Sequence, residues 1–292
     1  MRALVVPELP EVETLRRGIE PLVLGKEIVS VHARPGRSFR DVESLEVFAA
    51  ILTGSKVCQV RRYGKYLLFD LVRRSQGCEN WVLVMHMGMS GQLRSSTLSG
   101  LESTRVKHAH FIMGFDDESE VAFIDPRTFG RVYIDRAESL GTNLPSLDHL
   151  GPDALSSTDP YQRLRLRCAK SSVRIKQMLL DQSLIAGIGN MYGDEILFDA
   201  GVHPCRIGSS LDHQDLNAIE RSTKSVLTQA IEHGGSSLAD LSYRDVNGDL
   251  GKYQAMHRAY GRAQMPCWNC ATEIQRVKFG GRSSFFCSNC QV

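Results

Sequence analysis

Four cysteines close to the end of the chain constrain its folding most: Cys267-x-x-Cys270 and Cys287-x-x-Cys290, with sixteen residues between the pairs. Each pair closes a tight turn, and two such turns carry four thiolates to the corners of a tetrahedron around one zinc ion. The competing reading is a redox pair or two unrelated turns. The remaining cysteines, Cys58, Cys78, Cys168 and Cys205, show no pairing pattern and are expected to be small buried or surface residues in a reducing compartment.

Upstream of this module, a chain of 292 residues with 42% hydrophobic and 23% charged content has room for two cored domains. Leu9, Val12, Leu15, Ile19 and Leu22 recur at helical intervals and predict one helix over Leu9–Val23, with Pro10 tolerated in the first turn, where its missing N–H has no intrahelical partner. Short β-rich runs follow at 28–33, 56–60, 66–72, 81–86, 110–115, 121–124 and 131–134, and their Gly, Asp and Ser breaks predict a two-layer β-sandwich. Gly, Pro, Ser, Asp and Thr dominate 141–160, which reads as a linker. Helical patterns then occupy 173–180, 191–200 and 211–231, the last stopped by Gly234-Gly235. Between the first two lies Ala186-Gly187-Ile188-Gly189-Asn190, a tight double turn entering a helix N-terminus.

The net charge of +2 says little, because it hides where the charge is displayed. Beyond residue 250, Lys252, Arg258, Arg262, Arg276, Lys278 and Arg282 face a single acid, Glu273, and Arg163, Arg165, Arg167, Lys170, Arg174 and Lys176 form a second basic cluster. Solvated faces are the bland explanation; a phosphate-rich partner is the better one. No apolar run reaches membrane-spanning length and the opening residues are too short for a signal peptide, so a cytoplasmic protein is expected.

Three motifs in order, Pro7-Glu8-Leu9-Pro10-Glu11-Val12-Glu13-Thr14, Gly187-Ile188-Gly189-Asn190-Met191-Tyr192 and the four-cysteine module, make the chain closely resemble formamidopyrimidine-DNA glycosylase from Pro7 to Val292. The resemblance implies an α+β protein: an N-terminal β-sandwich domain flanked by the N-terminal helix (7–138), a linker (139–163), a helix-two-turn-helix domain (164–250) and a β-hairpin zinc finger (258–292) holding one structural Zn2+. It implies a monomer that binds double-stranded DNA with oxidised bases or abasic sites, excises 8-oxoguanine and formamidopyrimidines, and nicks the strand by β- and δ-elimination. Its nucleophile would be Pro7, its general acid Glu8, its β-elimination lysine Lys65 and its δ-elimination arginine Arg282. Met89, Arg127 and Phe129 would fill the space left by the extruded nucleotide, His108 would touch backbone phosphate, and Asn190 with the amides around Gly189 would clamp a phosphate, helped by Lys176. Glu11 and Glu13 are read as carboxylates favoured by the helix dipole, and residues 241–251 fall where the family carries a lesion-capping loop.

The sequence departs from the family at one point. Six residues precede Pro7, so its nitrogen is written as a tertiary amide, without N–H or a free lone pair. The expectation is a reading frame started too early, with Val6 the true start, removed to free Pro7. Proteolytic trimming and an inactive, damage-binding paralogue stay open, as do an endonuclease VIII-like enzyme for oxidised pyrimidines and a zinc-ribbon transcription factor.

Overall fold

The structure, a computed structural model, describes residues 6–74, 78–97, 107–139, 145–156, 159–238 and 243–292. Helix α1 (Leu9–Val23) begins where the sequence places it, with Glu8 as N-cap and the Glu8 N–H donating to Glu11 Oε2 at 2.9 Å. Two four-stranded antiparallel sheets follow. One runs β1-β6-β7-β5, from β1 (Ile28–Ala33), β5 (Gln92–Thr97), β6 (Ala109–Phe115) and β7 (Ser119–Ile124). The other runs β2-β3-β4-β8, from β2 (Ser55–Tyr63), β3 (Tyr66–Arg74), β4 (Cys78–His86) and β8 (Arg131–Arg136). Their inner faces bury Val57, Leu67, Phe69, Leu83, Phe111 and Phe123 in one core, closed on one side by a short helix α2 (Leu45–Leu52). Phe39, Phe48 and Phe111 meet there edge to face at centroid distances of 5.5 to 6.1 Å, the arrangement ring quadrupoles favour.

The second core gathers α4 (Gln162–Cys168), α5 (Ile175–Leu180), α6 (Asn190–Asp199) and α7 (His213–Glu232) around Ile175, Leu179, Ile188, Ile196, Leu197 and Leu227. Helix α7 is capped by Asp212, which accepts from Asp215 N, and ends at Gly234 and Gly235, both with positive φ. The stretch read as a linker is packed where it is described: a short helix α3 (Pro145–Asp148) leads to Asp153 and Ala154, both buried, and Ala154 N donates to Ala186 O at 3.0 Å. Residues 140–144 and 157–158 of that stretch lie outside the described residues. The C-terminal hairpin pairs β9 (Gln275–Phe279) with β10 (Arg282–Phe286) across Gly280-Gly281, whose φ angles of 56° and 74° suit a two-residue turn that favours glycine.

Helix α1 belongs to both cores. Val12, Leu15 and Ile19 pack into the sandwich, whereas Leu9, one turn earlier, lies in the helical core. The chain around Pro7 and Glu8 is thereby fixed at the seam between the two bodies, which is where the polar machinery collects.

Candidate active site

The N-termini of α1 and α6 meet at Glu8. Its buried carboxylate accepts from Gly189 N at 2.7 Å, Met191 N at 2.9 Å and Tyr192 N at 3.3 Å, and Leu9 N donates to Gly187 O at 3.1 Å. Residue 189 has no room for a side chain, since a Cβ there would stand 2.2 Å from Glu8 Cδ. This corrects one expectation: these amides do not face outward to a DNA phosphate, because the protein's own carboxylate already occupies the positive end of α6. Pro7 is buried immediately beside this junction.

Glu11 and Glu13 are also more than dipole partners. Glu11, fully buried, accepts from Tyr192 Oη at 2.6 Å, Ser236 N at 2.8 Å and Glu8 N, and burial pushes its carboxyl up to about 7. Glu13 accepts from Arg16, Arg17 and Arg62, and Arg62 also pairs with Asp153. Asp153 reaches further and accepts from Gly64 N at 2.7 Å, while Tyr63 Oη donates to Gly151 O at 2.8 Å. The β2–β3 turn that carries Lys65 is thus fastened to the helical body from both sides. Desolvation holds the Lys65 ammonium below the ordinary lysine value; the nearby Glu8 opposes that shift and Arg282 reinforces it. Pro7-Glu8, Lys65 and Arg282 therefore share one electrostatic neighbourhood although the sequence spreads them across the chain.

Lys176 was expected to help hold phosphate, and the structure moves it inside. Its side chain is fully buried, and Nζ donates to Asp194 Oδ1 at 2.7 Å and to Asn190 O at 2.6 Å. A cation with no exposed surface and two internal acceptors has no donor directed at solvent, so its role is support. Burial raises the Asp194 carboxyl to about 6, partly offset by Lys176, and its other oxygen accepts from Phe285 N at 3.1 Å. Asn190 Nδ2 donates to Ser283 O at 3.0 Å, leaving Oδ1 buried and without a partner. Asn190, Arg282, Gln177 and Gly280 line an open pocket between α5, α6 and the hairpin, with Arg282 exposed at its rim.

The three residues expected to enter the duplex lie on two loops. Met89, half-buried, is on the β4–β5 loop; Arg127, exposed, and Phe129, half-buried, are on the β7–β8 loop. The loops touch, since a Cβ on Gly88 would meet Gly130 N and Phe129 C at 2.5 Å. The Arg127 guanidinium lies 5.0 Å from the Phe129 ring centre and that of Arg37 lies 5.2 Å from it. His108 sits just before β6 in a left-handed conformation, φ 67°.

A family model for the formamidopyrimidine-DNA glycosylase N-terminal domain matches residues 6–132, one for its H2TH domain matches 150–242, and one for the zinc finger found in FPG and IleRS matches 266–292. The chain belongs to the formamidopyrimidine-DNA glycosylase family. It is 37% identical over 286 residues to the formamidopyrimidine-DNA glycosylase of Listeria innocua, covering 98% of this chain and 100% of the relative. Its fold matches the MutM (Fpg) protein of Thermus thermophilus at TM-score 0.83, with 37% identity and 98% of each chain covered. A mutant Lactococcus lactis Fpg, solved in complex with Fapy-dG-containing DNA, matches at TM-score 0.85 with 32% identity, covering 98% of this chain and 99% of that one.

The finger of this glycosylase fits its metal. The four cysteine sulfurs lie within 4.8 Å of one another, with Cys267–Cys290 at 3.8 Å and Cys270–Cys287 at 3.5 Å. A tetrahedron with Zn–S bonds of about 2.3 Å has sulfur–sulfur edges of about 3.8 Å. These distances suit one structural zinc and are far too long for disulfides.

Several supporting residues of the glycosylase escape a reading by motif. Asp194 and Glu195 follow each other on α6, and both are buried and turned to the finger side; Glu195 accepts from Arg258 N, Ala259 N and Tyr260 N at 2.7 to 3.0 Å. His86, stacked on Tyr66 at 4.8 Å, is pushed down to about 4 by burial and by Lys65, so its Nδ1 is free to accept from Gly88 N. The only signal for such residues is a charge inside an apolar run, as in Asp194-Glu195-Ile196-Leu197-Phe198. Leu241 and Ser242 of the expected lesion-capping loop lie outside the described residues; farther along it, Val246 is buried in the sandwich core.

Proposed function

We propose that the chain is a bifunctional DNA glycosylase and abasic-site lyase that removes oxidised purines, 8-oxoguanine and formamidopyrimidines, from double-stranded DNA and acts as a monomer. The observation that carries this reading is the seating of Glu8: the residue after Pro7 is locked onto the α6 amides, with Lys65 and Arg282 nearby. A related protein's complex with Fapy-dG-containing DNA supports the purine class. The domains proposed for this work are those read from the sequence, 7–138, 164–250 and 258–292, with 139–163 between the first two.

In this reading the Pro7 nitrogen, as a free secondary amine, adds to the sugar C1′, the bond from C1′ to the base breaks, and the C1′–O4′ bond then opens to an iminium; the proton lost from the Pro7 nitrogen and one supplied by Glu8 neutralise the departing base and the sugar O4′. The resulting iminium acidifies the C2′ proton; its removal expels the 3′ phosphate with help from Lys65, and a second elimination expels the 5′ phosphate beside Arg282. Water then releases the sugar fragment from Pro7. An α-amino group has a neutral fraction at physiological pH that an ordinary lysine lacks, which suits it to attack. Met89 and Phe129 occupy the vacated stack and Arg127 faces the orphaned base, while Asn190, His108 and Arg282 contact phosphate.

The test is borohydride trapping on an 8-oxoguanine:cytosine duplex, comparing the chain beginning at Met1 with one beginning at Pro7. The Pro7 form should leave a covalent protein–DNA adduct and the Met1 form should not, unless it is trimmed. Cleavage at full rate by intact Met1 protein would overturn the imine route, and preferential excision of thymine glycol would overturn the purine assignment.

A further inference from the structure

Asp125, directly after β7, gathers more of the DNA-facing surface than any residue assigned to it above. Its side chain is fully buried, and Ser90 beside Met89 is 6% exposed. Ser90 Oγ donates to Asp125 Oδ1 at 2.5 Å and accepts from Arg127 N at 3.2 Å, and Gly130 N donates to Asp125 Oδ2 at 2.7 Å. The backbone of Asp125 is used as well. Its N–H donates to His108 O at 3.0 Å, and its carbonyl accepts from Thr128 N at 3.2 Å and His110 Nε2 at 2.9 Å. One residue thus ties together the loop of Met89, the loop of Arg127 and Phe129, and the chain at His108.

We propose that Asp125 and Ser90 are positioning residues that hold the two loops in a single register, so that Met89, Arg127 and Phe129 enter the duplex as one unit and Arg127 is aimed at the orphaned base. This rests on the wedge reading given under Proposed function. The physical reason is that neither loop has a hydrogen-bonded strand partner at its tip. Thr128 is left-handed at φ 55° and Gly88 is left-handed at φ 61°, so the loops keep their shape through contacts made outside the sheets. A buried carboxylate must have its acceptor oxygens satisfied, and here the donors come from both loops, so moving one loop strands part of the other. Ser90 is the hinge of the arrangement because its hydroxyl both donates and accepts. Replacing it with alanine removes the link from the Met89 loop and deprives Arg127 N of its nearer acceptor, leaving only Asp125 Oδ1 at 3.3 Å.

The experiment uses the full chain beginning at Pro7 and measures excision of 8-oxoguanine opposite cytosine and opposite adenine, with 2-aminopurine beside the lesion reporting unstacking. Ser90→Ala should lower excision opposite cytosine by roughly ten- to a hundredfold, as displaced positioning contacts do, lower it less opposite adenine, and weaken the 2-aminopurine signal. Arg127→Ala should reproduce the loss of discrimination, and Ser90→Ala combined with Arg127→Ala should discriminate between the two opposite bases no less than Arg127→Ala alone, because both remove the contact of Arg127 with the orphaned base. Equal losses opposite both bases, or additive losses of discrimination in the pair, would mean that Ser90 serves only folding and would overturn the proposal. Should Ser90→Ala fail to fold, Asp125→Asn takes its place, with the same expected pattern and the same refuting one. If the unaltered chain neither discriminates nor brightens 2-aminopurine, the wedge reading itself falls; if it does both and the variants match it, only the Asp125–Ser90 inference falls.

Discussion

Replacing Lys176 with methionine tests whether the buried pair on α6 holds the finger in place. The substitution keeps the side chain's length and apolar stem but removes the ammonium that serves Asp194 Oδ1 and the Asn190 carbonyl. Both partners are fully buried, so the loss leaves an uncompensated carboxylate, a defect that costs about 3–5 kcal/mol. The penalty must depend on pH. Asp194 titrates near 6 in the folded protein against an ordinary 3.8, so its folded form holds a proton more tightly than its unfolded form. The stability this confers is complete below the unfolded value and is lost as pH rises through the folded one. Without Lys176 the carboxyl moves higher still, and the decline extends toward neutral and mildly alkaline pH. At about pH 5.5 the variant should therefore lose only about 1–2 kcal/mol, chiefly for the ammonium hydrogen bond lost at the Asn190 carbonyl, and at about pH 8 the full amount. Urea unfolding followed by fluorescence reads this, because Trp268 sits on the finger, stacked at 4.4 Å by Arg262, and Trp81 lies in the sandwich. Adding Asp194→Asn should recover most of the loss at the higher pH. A penalty below about 1 kcal/mol, or one equal at both pH values, would show that the pair does not carry the charge balance argued here.

Two further outcomes follow from the same geometry. Gly189→Ala puts a methyl group where Glu8 Cδ stands, so base excision should fall by about a hundredfold or more while nicking of a ready-made abasic site falls less; single-turnover rates on the two substrates decide, and excision at the normal rate would show that Glu8 acts from another position. Stripping zinc with a chelator should abolish tight DNA binding and shift Trp268 fluorescence while leaving the circular dichroism of the sandwich unchanged, since that core shares no residue with the finger. Retained binding by the metal-free protein would refute the finger's part in the interface.

What could be read from the sequence depended on whether the information was local. Helix Leu9–Val23 has its apolar stripe and its N-terminal proline within one segment, and the cysteine spacing carries its own geometry. Strand Gln92–Thr97 was not predicted: its residues are mostly polar, and what makes it a strand is its pairing with Ser119–Ile124. Helix Leu45–Leu52 was also not predicted, being too short for its pattern to stand out despite the Ser44 cap. At the site, the structure brings Glu8, Lys65 and Arg282 into one neighbourhood, but two expected directions came out reversed. Lys176 points inward because Asp194, eighteen residues later, waits for it, and the glycine-turn amides face Glu8, more than 180 residues earlier. Direction is a tertiary property, and a basic residue or a bare amide reads the same in sequence whether it faces a phosphate or a carboxylate of its own chain.

The reversal at Gly189 also explains how a site made from two bodies keeps its precision. A helix N-terminus left open at the seam would attract any anion, including the DNA backbone, in a geometry set by the ligand. With Glu8 seated on it, α6 instead positions a residue of α1, and it does so through three amides at once, so rotation or sliding of one body against the other would break all three together. Arg62 to Asp153 and Tyr63 to Gly151 cross the same seam and resist the same motion from the Lys65 side. The side chains proposed to contact phosphate, Asn190 and Arg282, instead line the pocket where α6 meets the finger.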